Sequence, residues 1–245
     1  MSRHNAAVVV GVGAEAGLGA ALCRRLAAEG LWVLVAGRTA DKLNKVVSTI
    51  KSRGQSATAV VTDATKEDQV VALFDAAERL VDGPLEFVAY NAGNNRMAGL
   101  LEMEAAFFED AWRVACFGGF LVGREAARRM APRTQGTIAF TGASASLRGR
   151  PPFTAFASAK AGLRSLAQAM AREFGPSGIH VAHVVIDGGI NGERLRTLAP
   201  DFVRSKGETG LLDPEAIANS FWQIHRQDKT AWTHEIDLRP YSETF

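Results

Sequence analysis

The chain has 245 residues, of which 47% are hydrophobic, enough to build a sizeable core and to exclude a disordered chain. Its 28 basic and 26 acidic residues leave a net charge of +2, so we expect no nucleic acid and no membrane among its partners. The first apolar run is too short for a signal peptide or a membrane span, which predicts a cytoplasmic protein. Cys23 and Cys116 lie in apolar, helix-like contexts, which favours buried thiols over a disulfide or a metal site.

Short apolar runs alternate with helical patterns along the whole chain. The apolar runs predict strands at 6–13, 31–38, 56–65, 85–93, 136–144, 179–187 and 232–238. The helical patterns predict helices at 17–30, 40–54, 66–83, 104–130, 153–175 and 213–226, the last with Pro214 at its first position. Near-continuous apolar strands alternating with helices predict an α/β fold: a Rossmann-like, doubly wound parallel β-sheet flanked by helices on both faces. We find no repeat and no linker, and expect residues 1–245 to form a single domain.

A glycine-rich turn joins the first predicted strand to the first helix. Gly13, Gly17 and Gly19 have the spacing G-x3-G-x-G. Such a turn lets backbone N–H groups approach a diphosphate, and the helix N-terminus then favours its negative charge. The alternative is a tight turn that serves packing alone. We predict that Gly13, Gly17, Leu18 and Gly19 bind a cofactor.

With these glycines the chain resembles the short-chain dehydrogenase/reductase family, to near residue 240. Val12 stands where the family has threonine. The resemblance implies that Asp63 holds an adenine ring. It matches Asn91-Ala92-Gly93 to the tail of the family's Asn-Asn-Ala-Gly motif, with Tyr90 in place of the first asparagine. It also matches Lys160 to the active-site lysine, which in the family holds the nicotinamide ribose.

The second strand carries the signal for the choice between NADP and NAD. It ends in VLVAGR, with Arg38 and no acidic residue at the position that contacts the ribose 2′ substituent. An arginine there accepts a 2′-phosphate, whereas an acid repels it. Glu15, within the glycine turn, argues the other way. We therefore predict NADP(H), with NAD(H) and a merely solvated Arg38 as the alternatives.

The resemblance also implies four catalytic positions, and three of them differ here. The family tyrosine corresponds to Phe156, the serine to Ala143 and the asparagine to Ala115, so that of the four only Lys160 remains. Each replacement removes a polar group. Because a general acid contributes about 10²–10⁴ in rate, its loss slows the usual alcohol–ketone chemistry without forbidding turnover.

Three other residues are candidate proton donors. Ser144 follows the lost serine, although it also suits a strand-end cap. Tyr90 lies beside the cofactor turn, where packing is an equal alternative. Asp187 stands where the nicotinamide carboxamide is expected, in an Ile186-Asp187-Gly188-Gly189 stretch that replaces the family's Pro-Gly, and it also suits a loop cap. We predict Lys160, Ser144 and Asp187 as the catalytic residues.

Substrate and assembly are predicted less directly. Five arginines follow predicted strands and would suit an anionic small-molecule substrate: Arg96, Arg148, Arg150, Arg194 and Arg196. The alternative is that they are solvated loop charges. Apolar faces of helices 104–130 and 153–175, in a family that pairs such helices, predict a homodimer or homotetramer. Three functions stay open: an atypical oxidoreductase acting on a carbonyl or enoyl group, a non-catalytic NADP(H) sensor or scaffold, and a partner subunit of an active relative.

Overall fold

Seven parallel strands form one sheet in the computed structural model, which describes residues 4–93, 95–207 and 209–244. In chain order the strands are β1 Ala6–Val10, β2 Trp32–Gly37, β3 Ala57–Val61, β4 Leu85–Tyr90, β5 Gly136–Thr141, β6 Ile179–Ile186 and β7 Glu235–Leu238. Their spatial order is β3-β2-β1-β4-β5-β6-β7. The strand order therefore reverses between β1 and β4, and ligands of such sheets bind in the crevice at the carboxyl ends of the strands at that point.

Helices cover both faces of this sheet. They are α1 Leu18–Ala28, α2 Ala40–Lys51, α3 Glu67–Leu80, α4 Ala105–Trp112, α5 Gly118–Met130, α6 Thr154–Phe174, α7 Glu193–Leu198, α8 Pro200–Lys206 and α9 Pro214–His225. The apolar sides of α1, α2 and α9 pack on one face, and those of α3, α5 and α6 pack on the other. Strands buried on both faces explain the near-continuous apolar runs of the sequence.

The predicted fold class is confirmed, with differences at the ends of elements. The helix predicted over 104–130 is α4, then a π turn at Arg113–Phe117, then α5. The segment between β6 and α9, in which no helix is predicted, contains α7 and α8. Six of the seven strands end one to four residues before the predicted apolar runs do, and β7 ends at the predicted residue. Within the described residues, none of the helices is long and apolar enough to cross a membrane.

Candidate functional site

The turn between β1 and α1 forms the floor of the crevice. Gly11 directly follows β1 with φ of +93°, and a Cβ there would collide with the backbone nitrogen of Ala92. A Cβ on Gly19 would lie 2.9 Å from Cα of Val12, so this glycine lets α1 pack closely on the turn. A Cβ on Gly13, by contrast, would meet no atom within 4 Å. Gly13 therefore faces open space, where a diphosphate can approach the backbone.

The first turn of α1 contributes backbone donors to this space. Gly17 is the N-cap residue, and no side chain caps the helix and no acidic residue lies in its first turn. The side chain of Leu18 is buried in the core, so only its backbone can face a ligand. An uncapped helix N-terminus beside an open glycine turn fits the diphosphate of a dinucleotide. Sequence reasoning missed Gly11, although its position directly before the motif was visible.

Charged residues follow β2 and β3, which lie side by side. Arg38 follows β2 and is exposed, and in the described chain its side chain has no hydrogen bond or ion pair. Oδ1 of Asp63 accepts hydrogen bonds from the backbone nitrogen and the hydroxyl of Thr65 at 2.9 and 2.8 Å. Partial burial acts to raise the pKa of Asp63, but these hydrogen bonds and the charge of Arg38 hold it below its ordinary value. The two residues are thus close enough to interact electrostatically.

Glu15 lies in the glycine turn between β1 and α1, and its hydrogen bonds are to residues other than Arg38. Its carboxylate accepts a hydrogen bond from the hydroxyl of Thr49 on α2, and its carbonyl accepts one from Arg24 at 2.8 Å. The carboxylate of Glu15, whose negative charge argues against NADP, is therefore hydrogen-bonded to α2.

The Asn91-Ala92-Gly93 segment connects this turn to Lys160. The backbone nitrogen of Asn91 donates to the carbonyl of Val10 at 2.8 Å, and its side-chain amide donates to the carbonyl of Gly11 at 3.3 Å. A Cβ on Gly93 would lie only 3.2 Å from Nζ of Lys160. The absence of a side chain at Gly93 therefore leaves room for the lysine head group at the crevice.

Lys160 lies on α6 with its head group inside the protein. The residue is 3% exposed, and its Nζ donates to the carbonyl of Thr141 at the end of β5, at 2.7 Å. Burial lowers the pKa of Lys160 to about 8. Phe156, one turn earlier, holds the centroid of its ring 5.9 Å from Nζ.

The positions matched to the family's serine and asparagine lie beside the same helix. Ala143 follows β5, and its backbone nitrogen donates to the hydroxyl of the buried Ser146 at 3.1 Å. Ala115 is buried in the π turn, and both this turn and the short 3₁₀ turn Ser144–Ser146 pack on α6. Ser144 is half-buried, and its hydroxyl has no hydrogen bond among the described residues. Ala115 and Ala143 thus lie in or beside turns that pack on α6, the helix that carries Phe156 and Lys160.

Tyr90 is a packing residue rather than a proton donor. Its side chain is fully buried, and its hydroxyl donates to the carbonyl of Val114 in the π turn. Burial raises the pKa of Tyr90 far above its ordinary value. A Cβ on Gly118 would collide with this hydroxyl, so the tyrosine and the π turn fit each other.

Asp187 is held by an arginine. Its buried carboxylate accepts hydrogen bonds from Nη2 of Arg148 at 3.1 and 3.2 Å. The charge of Asp187 is therefore balanced, and Arg148 is engaged within the protein. Two more of the predicted substrate arginines also have partners: Arg96 lies over the ring of Phe107, and Arg196 donates to Asn191 at 2.9 Å.

A second polar network, which the sequence did not reveal, joins α6, β6 and β7 and includes the buried His183. Arg164 on α6 donates to both carboxylate oxygens of Glu235 on β7, at 2.6 and 2.8 Å. Nδ1 of His183 on β6 lies 2.8 Å from the same carboxylate. Its Nε2 has no partner in the described chain, and a Cβ on Gly142 would lie 2.3 Å from it. Burial lowers the pKa of His183 to about 4, so this imidazole is neutral.

The comparisons with known proteins agree with this arrangement. The family model described as short chain dehydrogenase matches residues 6–200, which is most of the chain. The protein belongs to the short-chain dehydrogenase/reductase family. The predicted resemblance is thereby confirmed, whereas the roles of the individual site residues stay predictions.

Relatives of this family span nearly the whole chain. Gluconate 5-dehydrogenase of Gluconobacter oxydans is 31% identical over 226 residues, which cover 92% of this chain and 82% of that protein. A short-chain dehydrogenase structure from Rhodopseudomonas palustris is 40% identical with a TM-score of 0.84, and covers 98% of this chain and 100% of its own. A metagenomic short-chain oxidoreductase in complex with NADP has a TM-score of 0.83 at 23% identity, covering 98% of this chain and 99% of its own, and shares the fold.

Proposed function

We propose that this family member is an NADP(H)-dependent oxidoreductase that works without the usual Asn-Ser-Tyr residues on a carbonyl or enoyl substrate. One observation carries the proposal: Asn91-Ala92-Gly93 connects an open glycine turn directly to a buried lysine. Gly13 and the start of α1 would hold the diphosphate, Asp63 the adenine and Lys160 the nicotinamide ribose. The bound cofactor would exchange hydride with the substrate, and the protein would orient both.

Arg38 supports NADP as the cofactor. It is exposed at the end of β2, close enough to Asp63 to lower the pKa of that carboxyl, and has no bonded partner in the described part of the chain. Its guanidinium is therefore available to a 2′-phosphate at the adenosine end. Glu15, the nearest contrary charge in the turn, is bonded to Thr49.

We propose a small, anionic substrate, handled in the cytoplasm by a homodimer or homotetramer. The curated relative is named for gluconate, a sugar acid, and a carboxylate of that kind suits an arginine fork. Arg150 is the best placed for this role, because it is exposed after β5 and has no bonded partner within the described ranges. Arg148 is committed to Asp187.

A second function, a non-catalytic NADP(H) sensor or scaffold or a partner of an active relative, is favoured by a different observation. Ala115, Ala143 and Phe156 are all apolar and all contact or adjoin α6, so the substrate side lacks the usual hydroxyls. The cofactor residues serve both functions equally. Burial of Lys160 costs free energy because its ammonium group is removed from water. A scaffold would have no need of such a residue, so Lys160 favours the enzymatic function.

Calorimetric titration of the protein with NADPH and NADH tests the cofactor assignment. We expect NADPH to bind more tightly, and Arg38→Ala to reduce the difference by about 10- to 150-fold, the effect of a hydrogen bond to a charged group. Arg53→Ala, which removes an equal charge from the loop after α2, is the matched control and is expected to leave the ratio unchanged. Equal affinities in the native protein would contradict the NADP assignment, and the absence of binding by either nucleotide would refute the proposed function.

A further inference from the structure

The ammonium group of Lys160 is buried with an incomplete set of partners. An ammonium has three donors, and Nζ uses one of them on the carbonyl of Thr141. No carboxylate of the described residues forms a salt bridge with it. Burial without an anion disfavours the charged form of a lysine and makes its proton easier to remove.

The titratable groups on the elements near Lys160 do not restore the stability of its charged form. On its own helix Arg164 is neutralised by Glu235 of β7. From β6 the neighbouring His183 is neutral, because burial lowers its pKa to about 4. From β4 Tyr90 stays protonated. From the end of β6, Asp187 is paired with Arg148.

Phe156 completes this environment. Its ring centroid lies 5.9 Å from Nζ, and it stands where the family's tyrosine would receive the influence of the lysine. With a phenyl ring at this position, Lys160 has no hydroxyl to activate. Lys160 is then the one remaining group of the four matched catalytic positions that can carry a proton.

We propose that the ε-amino group of Lys160 itself transfers the proton to and from the substrate oxygen, in place of the missing tyrosine. This role rests on the proposed function. A charged ammonium with unused N–H groups also supplies what the lost serine supplied, since it stabilises negative charge developing on that oxygen. One residue therefore takes over two of the missing functions.

The step balances with the reduced nicotinamide cofactor of the proposed function as the hydride donor. The C4–H bond of the reduced nicotinamide would break as hydride leaves, which would oxidise the cofactor. A new C–H bond would form at the carbonyl carbon, which is reduced, and the electron pair of the C=O π bond would move to oxygen. An Nζ–H bond of Lys160 breaks as the O–H bond of the alcohol forms. The lysine is left as a neutral amine and regains its proton from water. In the oxidative direction the neutral amine accepts the proton.

The experiment measures the titration of Lys160 separately from turnover. NMR of protein labelled with [ε-¹³C]lysine follows each lysine against pH, and Lys160→Arg assigns the signal. We expect Lys160 to titrate near 8, in line with the pKa of about 8 that its burial gives. Lys45, exposed on α2, is followed in the same spectra as the control. Reductive kcat/KM is then expected to be level below this pKa and to fall above it, because the ammonium is the active form.

Two variants distinguish the proton carrier from a merely structural lysine. Lys160→Arg keeps the positive charge but holds its proton throughout, so at saturating NADPH we expect turnover to fall by about 10²–10⁴, and the NADPH affinity is measured separately by calorimetry. Lys45→Arg is the matched control and is expected to change neither. Titration of Lys160 above 10, or Lys160→Arg with native turnover, overturns this role and leaves the proposed function intact. Absence of hydride transfer by the native protein refutes the proposed function itself, and this role with it.

Discussion

Acidification is expected to destabilise the protein through His183. The side chain is fully buried, its Nδ1 bonds Glu235, and its Nε2 faces Gly142 with no acceptor in the described chain to receive a proton. Burial therefore lowers its pKa from 6.5 to about 4. Between these values the unfolded chain binds the proton and the native protein does not, so stability falls as the pH falls from 6.5 towards 4. The difference corresponds to about 3 kcal/mol at 1.36 kcal/mol for each pKa unit.

Urea unfolding at fixed protein concentration between pH 7.5 and 4 measures this loss. His183→Gln keeps an N–H donor for Glu235 but cannot take up a proton. We therefore expect the free energy of unfolding of the variant to fall by about 2–3 kcal/mol less on acidification than that of the native protein. His4→Gln, near the amino terminus, is the control. Glu235, whose pKa the hydrogen bonds from Arg164 hold low, adds acid lability of the same sign in both proteins. Equal pH dependence in the native protein and His183→Gln would refute the reasoning.

Two further predictions concern the active site and the assembly. Phe156→Tyr combined with Ala143→Ser is expected to raise NADPH-dependent reduction of simple diketones by about 10²-fold or more, measured by NADPH absorbance. Either change alone is expected to give a much smaller gain, because both hydroxyls serve one substrate oxygen. A double variant that binds the cofactor but shows no reductase activity would contradict this. Trp112 and Phe120 are 40% and 38% exposed, and large exposed apolar side chains are typical of interfaces between subunits. Light scattering at tens of micromolar protein is therefore expected to give the mass of a dimer or tetramer, and Trp112→Glu is expected to lower that mass. A native protein with the mass of a monomer would contradict this.

The fold was predictable from the sequence because its signal is local. Alternating apolar runs and helical periodicity fix strands and helices one at a time, and Gly13, Gly17 and Gly19 mark the turn by their spacing alone. The π turn at Arg113–Phe117 was not predictable in this way, since one inserted residue barely changes the apolar pattern of a long helix. Its partner, the Tyr90 hydroxyl, lies on a strand about 24 residues earlier.

The candidate site was predictable only in part, for a physical reason. Motif spacing gives the residues that line the crevice, but not how their charges are balanced. The pairing of Asp187 with Arg148 joins residues 39 apart in the chain, and that of Arg164 with Glu235 joins residues 71 apart. Such contacts follow from the packing of β6, β7 and α6. They change Asp187 from a free carboxylate into half of an ion pair.

The central claim is that this chain catalyses hydride transfer although it lacks the family's tyrosine. Incubation with NADPH deuterated at C4 of the nicotinamide, together with a panel of carbonyl and enoyl acids, tests it most directly by mass spectrometry of the products. We expect one class of substrate to gain a single deuterium with the native protein and about 10²–10⁴ less of it with Lys160→Arg. A native protein that binds NADPH and transfers deuterium to no member of the panel would contradict the claim and favour the sensor or scaffold.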